Sequence, residues 1–130
     1  MTDPTAARPH VLVADDEAIA ALALERFLTR RGFRVSTAGN GLDALERYNR
    51  DPADVVVTDI RMPRCGGKEL IEKLRANNPD LPIVVTTGYM SVSDEAGLTP
   101  GDRLVVLQKR IDIEQLLRIL RKFTGPAAAE

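Results

Sequence analysis

Short runs of consecutive apolar residues alternate with helix-spaced segments along almost the whole chain, and this alternation limits the fold more than any other feature. HVLVADD opens it. The segment that follows, EAIAALALERFLTRRGF, places Ala20, Ala23, Leu24, Phe27 and Leu28 at helical spacing, and Gly32 supplies a stop. FRVSTA then reads as strand, LDALERYN as helix, DVVVTD as strand, GKELIEKLRANN as helix and LPIVVTT as strand. RLVVLQK is a fifth strand, and IDIEQLLRILRKF closes the pattern as a helix with Ile113, Leu116, Leu117, Leu120 and Phe123 along one face. Runs such as VVVT are apolar at consecutive rather than alternate positions, which suits a parallel sheet covered on both faces. The expected fold is therefore α/β: a doubly wound, five-stranded parallel sheet with helices on both faces. Between the fourth and fifth strands, Gly97, Pro100 and Gly101 leave little room for a helix, so the fourth helix of the alternation is expected to be short or irregular, near residues 91 to 97.

At 130 residues the chain provides one domain with a core of its own, and no attached output module is expected. Residues 9 to 124 make up that domain, and the Pro/Ala-rich stretches 1 to 8 and 125 to 130 are expected to be flexible tails. A formal net charge of −1 argues against a direct nucleic-acid surface. The lone Cys65 can form no internal disulfide, and the first residues lack the apolar stretch of a secretion signal. No apolar run approaches the roughly 20 residues that span a bilayer. These features imply a cytoplasmic protein with no membrane insertion.

In open α/β sheets ligands bind beyond the carboxyl ends of the strands. The residues that end strands here are Asp15 and Asp16 after VLVA, Asp59 after VVVT, Thr86 and Thr87 after PIVV, and Lys109 after VVLQ. Carboxylates gathered on one rim repel each other unless a hard cation neutralises them, and oxygen-only ligands favour Mg²⁺, with Mn²⁺ as the alternative, over zinc. Such an ion can bridge a carboxylate and an incoming phosphoryl group. Asp59 is then suited to act as a nucleophile that becomes an acyl phosphate. Lys109 is suited to contact a phosphoryl oxygen, and a Thr hydroxyl at the end of the fourth strand can bond another once the group arrives, which makes a switch. Each residue alone has a plainer reading. Asp16 and Glu17 could mark a helix N-terminus, Asp59 a turn, the threonines ordinary strand positions, and Lys109 a solvated charge. Joint placement at the ends of core-type strands is what points to a site. Cys65 reads as a packing residue, and His10 has no assigned role.

The chain resembles the response-regulator receiver family over about residues 9 to 124, in four motifs that match in order. HVLVADDE resembles the family's first strand with its acidic pair, and VVVTDIRMPRCGG its phosphoacceptor strand and the Met-Pro loop that follows. PIVVTTGY resembles the strand bearing the switch hydroxyl, and VVLQK the strand bearing the lysine. The resemblance implies strand order 2-1-3-4-5, the flavodoxin-like arrangement. By motif it makes Asp59 the phosphoacceptor, Asp16 a direct Mg²⁺ ligand, Asp15 a ligand through water and the backbone carbonyl of Arg61 a further ligand. Thr87, which precedes the small Gly88, becomes the switch hydroxyl, and Lys109 the phosphate contact. The implied phosphodonor is a histidine kinase or a histidine phosphotransfer protein, with an unspecified downstream protein partner.

Departures from the family pattern are as informative. The family usually carries Pro after this lysine, commonly in a cis bond; here Arg110 stands there. A cis bond before a non-proline residue costs roughly 2.5–4 kcal/mol, so the sequence leaves that peptide's geometry open. Val106 occupies the position where the family often has an aromatic residue that swings inward on activation. Arg61 and Tyr89, two residues after Asp59 and Thr87, are large and are expected to flank the phosphoryl group and slow its hydrolysis. Two alternatives stand beside the receiver reading. One is a receiver-like interaction module that works without phosphorylation. The other is a small Mg²⁺ phosphohydrolase of the haloacid-dehalogenase type, which is disfavoured because its two nucleophile-strand aspartates are separated by one residue whereas the acids here are adjacent.

Overall fold

The structure is a computed structural model that describes residues 8–62, 65–88 and 103–124. Strands β1 (His10–Ala14), β2 (Arg34–Ala38), β3 (Val55–Asp59), β4 (Ile83–Thr87) and β5 (Leu104–Gln108) alternate with helices α1 (Ala18–Arg30), α2 (Gly41–Arg50) and α3 (Gly67–Asn77), and α4 (Ile113–Thr124) follows β5. All pairings are parallel, and the strand order is β2-β1-β3-β4-β5. This is the flavodoxin-like arrangement the sequence implies. The expected helix near 91 to 97, Tyr89, and the tails other than Arg8 lie outside the described residues.

Consecutive apolar positions produce two cores because successive strand side chains point to opposite faces. Leu12, Ala14, Val56, Ile83 and Val85 face α2 and α3, where Ala44, Tyr48, Leu70, Ile71 and Leu74 complete one cluster. Val11, Val13, Val55, Val57 and Val84 face α1 and α4, and pack against Ala21, Leu24, Leu28, Leu116, Leu117 and Leu120. Each large side chain removed from water contributes about 1.5–3 kcal/mol. Helices thus pack on both faces of the sheet, and the strand ends become its accessible polar part.

Local signals set the helix ends. Gly32 follows α1 with φ 98°, a left-handed conformation that glycine adopts without steric cost. Asn40 caps α2, its side chain accepting from the Asp43 N–H at 2.8 Å, a contact typically worth about 1 kcal/mol. The inward face of α1 departs from expectation: Ala21, Leu24 and Leu28 are buried, Ala20 and Phe27 are half-buried, and Ala23 is exposed. The bulky residues of the first half, Ile19 and Leu22, are exposed, so the Leu24 and Leu28 contacts decide the helix phase. On α4 the expected stripe holds, with Leu116, Leu117 and Leu120 buried and Ile113 and Phe123 packed against the same cluster.

Candidate functional site

Register brings the acids together. Ala14 pairs with Thr58 on the adjacent central strands, so the residues that follow, Asp15 and Asp59, leave the sheet side by side. Carboxylate oxygens of Asp15, Asp16 and Asp59 lie within 4.8 Å of one another. Asp15 and Asp59 are buried, while Asp16 is exposed at the mouth. Lys109 arrives from the end of β5: its Nζ stands 3.0 Å from Asp59 Oδ2, 3.5 Å from Glu17 Oε1 and 3.8 Å from Asp15 Oδ2. The Lys109 N–H donates to the Thr87 carbonyl at 2.6 Å, which ties the lysine's backbone to the end of β4. The Lys109–Arg110 peptide, whose geometry the sequence left open, is cis.

Close packing fixes the loop after Asp59. A side chain on Gly67 would place its Cβ 2.5 Å from the Asp59 carbonyl oxygen, so only glycine lets α3 begin this near the acid. The Gly67 N–H donates to the Ile60 carbonyl at 3.0 Å. The same loop is held from below by α2, where the Gly41 N–H donates to the Cys65 carbonyl at 3.0 Å. Cys65 is buried, and burial pushes its thiol up, in keeping with a packing role. The Arg61 N–H approaches Asp59 Oδ1 at 3.3 Å, and the residue itself is exposed. Thr86 and Thr87 are both buried, and the Thr86 hydroxyl donates to the Thr58 carbonyl at 3.5 Å. Val106 is half-buried against the cluster under α2 and α3.

Electrostatics at this rim favour a cation. Burial raises the Asp15 pKa, and the Glu17 N–H and Lys109 counter this only in part. For Lys109, burial works against the ammonium, but its hydrogen bond to Asp59 and the charges of Asp59, Asp15 and Glu17 outweigh that and hold its pKa above the ordinary value. Three carboxylates, Asp59, Glu17 and Asp15, therefore lie within 3.8 Å of the Lys109 ammonium, and Asp16 adds a fourth to the acidic cluster. An all-oxygen donor set with excess negative charge fits a hard divalent ion rather than zinc.

Sequence reasoning missed Glu17 as part of this rim. It treated the residue as the start of a helix, and the partner that gives it a place, Lys109, is 92 residues away. His10 also proves to have a place, at the opposite end of the sheet. It is buried, with Nδ1 3.0 Å from the Pro52 carbonyl and Nε2 2.7 Å from Ser36 Oγ.

With the geometry in hand, comparison with known proteins is direct. The chain matches the response regulator receiver domain family over residues 11–121. It is 39% identical over 119 residues to the probable transcriptional regulatory protein TcrX of Mycobacterium tuberculosis, covering 88% of this chain and 50% of that protein. It is likewise 39% identical over 113 residues to the response regulator MprA of Mycobacterium leprae, covering 86% of this chain and 49% of that one. The chain thus spans about half the length of these relatives. The crystal structure of a response regulator receiver protein from Sinorhizobium medicae superposes with a TM-score of 0.80 at 31% identity, covering 91% of this chain and 95% of the other. Among the described residues no helix is long and apolar enough to cross a membrane. Fold, acidic rim and family match agree, and the chain belongs to the response regulator receiver domain family of two-component signalling.

Proposed function

We propose that this receiver accepts a phosphoryl group from a phosphohistidine donor onto Asp59, with Mg²⁺, and thereby switches its interaction with a protein partner. The observation that carries this reading is the Lys109 ammonium held 3.0 Å from Asp59 Oδ2 beside the Asp15, Asp16 and Asp59 cluster. In the transfer, an Asp59 oxygen forms the new P–O bond as the donor's P–N bond breaks, and the leaving imidazole keeps the electron pair. Asp16, Asp15 through water, Asp59 and the Arg61 carbonyl would hold Mg²⁺, or Mn²⁺ in its place. The bound ion would supply charge neutralisation for the phosphoryl oxygens. Lys109 contacts one phosphoryl oxygen and keeps the transferred charge at Asp59.

Thr87, which directly precedes the small Gly88, bonds another phosphoryl oxygen after transfer. Arg61 and Tyr89 flank the acyl phosphate and slow its hydrolysis. Val106 offers no aromatic rotamer, so the signal leaves by another route. The functional unit is residues 9 to 124, it works in the cytoplasm, and its donor is a histidine kinase or a histidine phosphotransfer protein.

Intact mass after incubation with acetyl phosphate tests this. Wild type with Mg²⁺ gains one phosphoryl group, and neither Asp59→Ala nor wild type without Mg²⁺ gains any. A wild type that binds Mg²⁺ but takes no phosphoryl group from this donor or from a phosphorylated histidine phosphotransfer protein would instead be an interaction module.

A further inference from the structure

We infer that Glu17 is a positioning residue for Lys109, giving the ammonium a counter-charge that neither a bound cation nor an arriving phosphoryl group removes. The inference deepens the phosphoacceptor reading and rests on it. Glu17 occupies the N-cap of α1, with φ −89° and ψ 101°. Its backbone N–H donates to Asp15 Oδ1 at 2.9 Å, which fixes where the residue sits beside the acidic pair. At this position a short side chain ordinarily turns back to accept from the first turn of the helix. Glu17 makes no such capping bond, and its carboxylate reaches instead to within 3.5 Å of Lys109 Nζ.

The other two partners of Lys109 are in a different situation. Asp59 Oδ2 and Asp15 Oδ2 belong to residues of the three-carboxylate cluster, which among the described residues comprises Asp15, Asp16 and Asp59 without Glu17. Those carboxylates would be drawn to a bound cation, and phosphoryl transfer would exchange the Asp59 contact of Lys109 for a phosphoryl oxygen, whereas Glu17 takes part in neither event. Glu17 is then the carboxylate that still restrains the ammonium over Asp59, on the side facing solvent. Its side chain is 69% exposed and that of Lys109 27%, so screening keeps the effect modest.

The test is a cycle over wild type, Glu17→Gln, Lys109→Met and the double variant, read in two ways. Phosphorylation by acetyl phosphate with Mg²⁺ is timed for all four, and the urea midpoint of each is measured without metal or donor. Glu17→Gln is expected to slow phosphorylation about two- to five-fold when Lys109 is present, and to leave the residual rate of Lys109→Met unchanged. Urea midpoints are expected to be non-additive in the same sense. An unchanged or raised rate in Glu17→Gln, equal slowing in both backgrounds, or additive midpoints would overturn the inference while leaving the phosphoacceptor reading intact. A wild type that cannot be phosphorylated would overturn both.

Discussion

At the carboxyl end of the sheet, Asp15, Asp59 and Glu17 share the Lys109 ammonium, with Asp16 beside them in the acidic cluster. At the amino end, His10 and Arg34 are paired with neighbouring polar groups, although Arg34 Nε is buried without a partner. Both ring nitrogens of His10 have partners, Pro52 O and Ser36 Oγ, and the His10 N–H donates to Asp54 Oδ2 at 2.7 Å. The Arg34 guanidinium meets both carboxylate oxygens of Asp51. One end is a hydrogen-bonded network joining β1, β2 and the turn into β3. The other carries surplus charge that a bound ion and a phosphoryl group would rearrange. Stability and function are thus divided between the two ends, since buried polar groups stabilise only when satisfied and reactive sites retain charge that is not.

The sharpest way to break this division is His10→Ala. It leaves the Pro52 carbonyl and the Ser36 hydroxyl without their buried partner, and is expected to cost about 2–3 kcal/mol in urea unfolding. Phosphorylation of the folded variant by acetyl phosphate should stay at the wild-type rate. A slowed rate would mean that the two ends are coupled through β1.

Asp15→Asn should behave in the opposite way. Burial raises the Asp15 pKa, so the charged form costs stability above the folded-state pKa, and that cost disappears as pH falls below it. Removing the charge is expected to stabilise the metal-free protein by about 1 kcal/mol at neutral pH and to reduce the rise in Tm expected of wild type on adding Mg²⁺. Loss of stability with an undiminished Mg²⁺ response would remove Asp15 from the site.

The smallest expected effect belongs to Arg34→Met. The Arg34 hydrogen bond holds Asp51 below the usual carboxylate range, so its stabilisation is present above the unfolded-state carboxylate pKa and lost as pH falls through the depressed folded-state value. The Asp51 side chain is half exposed, which limits the neutral-pH cost to under about 1 kcal/mol. The difference from wild type should close on acidification; a difference that persists in acid would assign the effect to packing.

The same contrast explains what the sequence made legible. Local patterns identify the strands and helices, because unbroken apolar runs such as VVVT and the α4 stripe record burial directly. The acids and Lys109 were legible because strand ends in this architecture share one rim. Three things were less so. On α1 the expected Leu24, Leu28 and Phe27 do face the core, but Ala21 is buried and Ala23 exposed, because alanines carry little phase information. His10 was given no role because its partners Ser36 and Pro52 lie 26 and 42 residues away, and a histidine before an apolar run has no local signature. Glu17 looked like a helix start because the N-cap position is local, while the absence of a capping bond and the reach to Lys109 are tertiary facts.

Every role proposed for the rim depends on Asp59 carrying the phosphoryl group. Borohydride reduction after acetyl phosphate treatment, followed by peptide mass mapping, tests it most directly, because an aspartyl phosphate is reduced to homoserine at the residue that bore it. Homoserine is expected at position 59, dependent on Mg²⁺ and on donor. Reduction at another residue, or none in protein whose intact mass shows one added phosphoryl group, would contradict it.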